Sequence, residues 1–200
     1  MTARPLEILR LAAGGDGVGR LEDGRMVFVP RTAPGDLMTP AMLRTHRRFA
    51  RARLGELLQP GPDRVEPRCP HYTRDSCGGC QLQHLSLPAQ LEARRGFVGD
   101  ALRRLARFDV ADPVIEPAPE AFDYRTRITL AVASGGRRIG LHPLERPDDV
   151  FDLRWCHITV PSLMRLWQLV SAQRRLLPKG LEQLVFRLDR QGGRHLVAST

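Results

Sequence analysis

The chain has 200 residues, 42% of them hydrophobic, which is enough for one domain or two small ones and excludes a disordered tail. Lysine and arginine total 31 against 22 acidic residues, a net charge of +9 carried almost wholly by arginine, Lys179 being the single lysine; the sum predicts an anionic partner, nucleic acid first. The apolar runs are a few residues long and the N-terminus lacks the apolar core of a secretory signal, so the chain is predicted to be cytoplasmic and without a membrane partner, where four cysteines favour a metal or cluster over disulfides.

Residues Pro5–Gln59 read as short strands punctuated by glycine. Leu6–Ala12 alternates loosely, Gly14 to Gly19 form a turn, Arg25–Val29 is a β-rich run closed by Pro30, Pro34-Gly35-Asp36 is a second turn, and Phe49–Leu58 alternates again. Short strands at roughly ten-residue spacing predict a small OB-like β-barrel over residues 1–60. Its most charged stretch holds Arg44, His46, Arg47, Arg48, Arg51 and Arg53, a set able to track an RNA backbone or simply to form a solvated face.

Pro60–Pro67 is a linker by composition, and it leads into the segment C-P-H-Y-T-R-D-S-C-G-G-C-Q-L-Q-H, Cys69–His84. Cys69, Cys77 and Cys80 are spaced C-x7-C-x2-C, and the fourth cysteine, Cys156, lies far downstream. Three close thiols and one remote thiol are what a closed four-thiolate site needs if it is to tie two parts of a fold together. Gly78 and Gly79 are expected to turn the backbone with positive φ so that Cys77 and Cys80 point at one centre. Zinc, an iron–sulfur cluster and a redox C-x-x-C pair all remain open on the residues alone. Zinc usually takes two short knuckles, whereas a cluster tolerates the three-plus-one spacing. Gln81, Gln83 and His84 are candidates for hydrogen bonds around the site, although helix-flanking polar residues are the commoner reading.

Ser86 caps a helix predicted over Leu87–Arg107, with Pro88 in its first turn and Leu91, Val98, Ala101, Leu102 and Leu105 as its apolar stripe. Asp109–Ala121 is a proline-rich connector. Strands follow at Arg127–Ala133 and Arg137–His142 about a Gly135-Gly136 turn. A helix opens at Pro161 and ends at Lys179-Gly180, and Leu184–Leu188 pairs with His195–Ala198. Without βαβ regularity, the fold class is α+β: the barrel at 1–60, a linker, cysteine loop and helix at 61–108, and a partial antiparallel-sheet domain at 109–200.

These residues carry a resemblance. Arg64–His84, with C-P-H-Y and C-G-G-C-Q-L-Q-H, resembles the cluster-binding segment of bacterial RNA (uracil-5-)methyltransferases. Gly15–Asp36 resembles a TRAM domain, and F-D-Y-R-T-R (Phe122–Arg127) with the surroundings of Cys156 resembles that family's central domain. The first cysteine gap is seven residues where the family commonly has five, so Arg74 and Asp75 read as a small insertion. The resemblance implies a structural 4Fe–4S cluster on Cys69, Cys77, Cys80 and Cys156. It also implies RNA contact by Arg125 and Arg127 beside Arg47, Arg48 and Arg51 of the barrel, and a ribosomal or transfer RNA partner.

Uracil C5 methylation needs a thiolate to attack C6, a base for the C5 proton and a pocket for S-adenosylmethionine. All four cysteines are committed to the cluster. The Gly14–Gly19 run lies in a barrel pattern with no helix behind it, so it is no cofactor loop. The expectation is therefore an RNA-binding, iron–sulfur-bearing N-terminal part of a SAM-dependent enzyme, monomeric and inactive alone, with no catalytic or SAM-binding residue before Thr200. The rival is a non-enzymatic RNA-binding module with a structural four-cysteine metal site.

Overall fold

Alternation builds the first strand. In β1 (Leu6–Leu11), Leu6 and Ile8 are buried while Glu7 and Leu9 face solvent, the period of a sheet with one wet side. The computed structural model describes residues 4–133 and 138–200. In it β1, β2 (Gly17–Arg20), β3 (Met26–Val29), β4 (Leu37–Thr45) and β5 (Phe49–Gln59) close into a barrel of order β1-β2-β3-β5-β4. Leu6, Ile8, Val27, Val29, Met38, Ala50 and Ala52 fill it. All its strand pairs are antiparallel except β3 with β5.

Two features depart from the sequence reading. Gly17 and Gly19 lie inside β2 rather than in a turn, and Gly14 and Gly15, with φ of 99° and 95°, make the turn alone. A Cβ on Gly17 would sit 2.0 Å from Thr32 Oγ1, so close approach and not handedness requires that glycine. Strand β4 escaped notice because it holds Pro40, which cannot donate to a ladder, and Met42 at φ 49°. The β4–β5 register shifts on both sides of Pro40, which accommodates it.

The chain divides into two units, Met1–Pro67 with Gln81–Pro117 and Arg68–Cys80 with Ala118–Thr200. In the first, the Pro60–Pro67 linker is pinned by its backbone: Val65 N–H donates to His84 O and Ser86 N–H to Asp63 O, each at 2.9 Å. α1 (Pro70–Thr73) is a single turn of the second unit, and α2 (Leu87–Arg104) belongs to the first. Ser86 Oγ caps α2 by accepting from Ala89 N–H, as the sequence predicts, but α2 ends three residues earlier than expected. Its inner face is also different. Ala89 and Phe97 pack on Ala33, Leu82 and Leu85, while Val98 and Leu105 of the predicted stripe are exposed. The buried Gly99 explains the shift: a Cβ there would lie 1.9 Å from Asp112 Oδ1, so the returning connector occupies that side and ties to Arg103.

In the second unit, β6 (Arg127–Val132), β7 (Ile139–Leu141), β8 (Phe151–Asp152), β9 (Gln183–Leu188) and β10 (Arg194–Ser199) form an antiparallel sheet of order β10-β9-β6-β7-β8. The expected Gly135-Gly136 turn lies outside the described residues. α3 (Pro161–Ala172) lays Leu163, Met164 and Trp167 on Ile128, Leu130, Leu184 and Phe186. Trp167 meets Phe186 edge-on at 5.9 Å, and its indole N–H donates to Leu153 O at 3.0 Å, which satisfies the polar end of a buried ring. α3 stops at Ala172, not at Lys179-Gly180. A 3-10 turn, Arg174–Leu176, intervenes before Gly180 turns the chain at φ 78°.

Candidate functional site

Among the described residues none of the four cysteines is joined in a disulfide, and all four belong to the second unit. Cys69, Cys77 and Cys156 are buried and Cys80 is half-buried against the core that holds Cys77 and Cys156. The Arg68–Cys80 segment and the loop after β8 that carries Cys156 thus lie in one unit. Among the described residues, no three His, Cys, Asp or Glu side chains are gathered about a point that would hold a single metal ion.

Cys69 opens α1, with Pro70 at the first helical position. Burial pushes its thiol above the ordinary range, against the amides of His71, Tyr72 and His157, which face the sulfur. Burial likewise lifts Cys77 to about 11, opposed by the Gly79 N–H that donates to its sulfur at 3.4 Å and reinforced by Cys80, Cys69 and Cys156. Cys69 and Cys77 are thus buried thiols met by backbone N–H groups, with Cys80 and Cys156 in electrostatic reach of Cys77, and their raised values mean that they give up their protons only to a strong electropositive centre.

Gly78 and Gly79 do not carry the positive φ expected of them; the left-handed residue is Ser76, at φ 52°. Close approach does not require them either, since a Cβ on each would make only ordinary contact. Gly78 N–H donates to His142 O at 3.0 Å, and a Cβ on Gly78 would stand 3.4 Å from that carbonyl and from the Leu144 backbone.

The sequence reading missed His71. It is 3% exposed, stacks at a tilt on Phe151 with 5.1 Å between ring centres, and bonds at both nitrogens. Nε2 accepts the Arg154 N–H at 3.0 Å, which leaves the proton on Nδ1, 2.6 Å from Asp75 Oδ2. The His71 carbonyl accepts the Cys77 N–H at 2.9 Å. One residue thus touches the Cys69 sulfur by its amide, the Cys77 backbone by its carbonyl and the approach to Cys156 by its ring. Asp75 supplies that carboxylate, which Arg74 also binds. His84, in contrast, is in the first unit: its Nε2–H donates to Thr32 O at 3.1 Å.

The Phe122–Arg127 segment runs beside the Cys156 loop. Asp123 N–H donates to His157 O, Arg125 N–H to Ile158 O at 2.7 Å, and Val160 N–H to Arg125 O. Arg125 is half-buried in this bridge and Arg127 is exposed at the start of β6. The Arg68 guanidinium sits 4.6 Å over the Phe122 ring. Thr159, fully buried three residues beyond Cys156, has a hydroxyl with no partner among the described residues.

In the barrel, Arg47 and Arg48 lie in the tip between β4 and β5, closed by His46 N–H on Phe49 O. Arg51 on β5 is exposed and 3.6 Å from Asp16, and His46 stacks on Phe49 at 4.5 Å.

The TRAM domain family matches residues 3–54. The chain is 36% identical over 165 residues, 82% of its length, to the 23S rRNA (uracil(1939)-C(5))-methyltransferase RlmD of Halomonas elongata, covering 34% of that protein. It is 32% identical over 210 aligned positions to an uncharacterized RNA methyltransferase of Thermosynechococcus vestitus, covering 96% of the chain and 44% of the relative. The chain thus spans less than half the length of these relatives. The crystal structure of Pyrococcus abyssi tRNA (uracil-54, C5)-methyltransferase in complex with S-adenosyl-L-homocysteine shares the fold over 96% of the chain and 45% of its own, with a TM-score of 0.65 at 24% identity.

Proposed function

Because the chain belongs to the TRAM-containing RNA (uracil-5-)methyltransferase family, we propose that it is the RNA-binding and iron–sulfur-bearing part of a SAM-dependent enzyme that methylates uracil C5 in ribosomal or transfer RNA. The observation that supports this most is the presence, in one unit, of three buried thiols and one half-buried thiol together with a backbone ladder that seats Arg125 beside the loop of Cys156.

The residues fit a 4Fe–4S cluster in donor type, number and burial. Cys69, Cys77, Cys80 and Cys156 would hold it, and four protein thiolates leave no iron open to substrate, so its role is structural. What the chain's own residues do is positional. The ladder from Asp123 to Val160 fixes Arg125 relative to the thiol loop, and Arg127 follows on β6. With Arg47, Arg48 and Arg51, these arginines bind RNA phosphate, while the nucleophile, the proton acceptor and the pocket for S-adenosylmethionine belong to residues outside these 200.

The test uses the full-length gene product prepared anaerobically. We expect iron and acid-labile sulfide, a brown visible spectrum, and transfer of labelled methyl from S-adenosylmethionine to uracil in unmodified rRNA or tRNA. A colourless protein without sulfide sinks the cluster. Salt-sensitive RNA binding without any methyl transfer favours a binding module instead.

A further inference from the structure

The antiparallel sheet has one face covered by α3 and one open. On the open face, Arg127 of β6 stands directly opposite Arg187 of β9, and Arg187 in turn stands opposite His195 of β10. Leu188 N–H donates to Thr126 O at 2.8 Å, which makes Thr126 and Leu188 the hydrogen-bonded pair and Arg127 with Arg187 the closer, non-hydrogen-bonded one. Like charges in that relation weaken a sheet. His195 is already matched, since its ring nitrogen lies 2.7 Å from Asp189, whose carboxylate also accepts the Gln191 and Gly193 N–H groups of the hairpin. Neither Arg127 nor Arg187 has an ion-pair partner among the described residues, and both are exposed. Beyond them the same face carries Thr129, Val185 and Val197, small side chains that leave it flat.

We infer that this open sheet face is an RNA phosphate-binding surface centred on the opposed pair Arg127 and Arg187, with Arg187 as a contact that extends the Arg125–Arg127 segment across the sheet. The inference rests on the RNA reading above. Two planar forks side by side match phosphate oxygens, and an anion between them removes the repulsion that the free sheet carries. An uncompensated cation pair over a flat floor without aromatic side chains suits a phosphate backbone better than base stacking.

The test measures binding of the intact protein to a short fluorescein-labelled oligouridylate across a salt series. Arg187→Gln and Arg127→Gln are each expected to weaken binding by about tenfold and to lower the salt slope by about 0.7, with unfolding midpoints unchanged or raised because the repulsion is relieved. Arg165→Gln is the control: Arg165 is exposed on α3, on the covered side of the sheet, and its loss is expected to leave the slope unchanged. Binding that falls with Arg51→Gln but is untouched in Arg127→Gln and Arg187→Gln overturns the sheet surface alone, even where an acidic protein segment binds there. An equal loss in Arg165→Gln overturns it as mere net charge. A wild-type protein that binds no oligouridylate overturns the RNA reading and this surface with it.

Discussion

Asp36 and Arg64, separated by 28 positions in the chain, form a two-pronged ion pair in the interior of the first unit. Asp36 is fully buried, and beyond the guanidinium it accepts the N–H groups of Ala33 at 2.6 Å and Gly61 at 2.9 Å. Arg64 also donates to Arg31 O at 2.9 Å. Burial pushes the Asp36 carboxyl up, but Arg64 and the two amides outweigh it and hold the group below its ordinary range. Breaking one side of such a pair strands the other charge, so Asp36→Asn is expected to cost about 3–5 kcal/mol in urea unfolding. Its folded value lies below its unfolded one, so the carboxylate's contribution is complete above the unfolded pKa and fades as pH falls through the folded one. A loss under about 1 kcal/mol for Asp36→Asn would show that the pair is not coupled to folding.

His84 gives the same unit a second acid sensitivity, in a higher window. Burial holds its imidazole at about 4, against the ordinary 6.5, although Nε2–H donates to Thr32 O. Between those values the unfolded chain takes up a proton that the folded one refuses. Stability is therefore full above about pH 6.5 and falls by up to about 3 kcal/mol on the way to pH 4. Urea titrations at pH 7 and pH 4.5 check this, with His84→Gln as comparison. The variant should be less stable at pH 7 but show a shallower decline, and a parallel decline in both proteins would locate the sensitivity elsewhere.

Much of this was legible from residues. Alternation in Leu6–Leu11 and Phe49–Gln59, the Ser86 cap and the strands β6, β7, β9 and β10 depend on local periodicity, and the structure follows it, whereas the two-residue β8 is too short to show one. What failed depends on partners distant in sequence. Asp112 packs on α2 at Gly99 and Arg103, a side the apolar stripe did not mark, while Val98 of that stripe is exposed, and register shifts rescue Pro40 within β4. Of the candidate site, the four cysteines stood out by spacing. His71 did not, because a histidine after a C-P dipeptide gives no sign that Arg154 is its partner.

Cys156 is the remote member of the thiol set, buried in the core of the second unit with Leu153 and Ile158. Cys156→Ser is nearly isosteric, so packing alone is little disturbed, but a hydroxyl replaces the soft thiolate that iron prefers. The expected result after anaerobic preparation is loss of most of the bound iron and faster proteolysis within Arg68–Cys80, since a closed metal site contributes to folding. Unchanged colour together with unchanged proteolysis would remove Cys156 from the ligand set.

His71 offers the sharper test, because it is not itself a ligand in this reading. Its ring joins Asp75 to the backbone two residues before Cys156, and its main chain holds the Cys69 and Cys77 sides. Removing a buried imidazole bonded at both nitrogens leaves the Arg154 N–H without its acceptor, a cost of about 1–3 kcal/mol, while the Asp75 carboxylate keeps Arg74. His71→Ala should therefore lower iron content and shift the electron paramagnetic resonance of the reduced protein, since the sulfurs would no longer be held in place before loading. Asp75→Asn keeps an oxygen for the Nδ1–H and should behave as the parent, whereas Asp75→Ala should fall between. Wild-type iron content and resonance in His71→Ala would mean that the thiol loop finds its geometry from the cluster alone, and that His71 merely fills the space over Phe151.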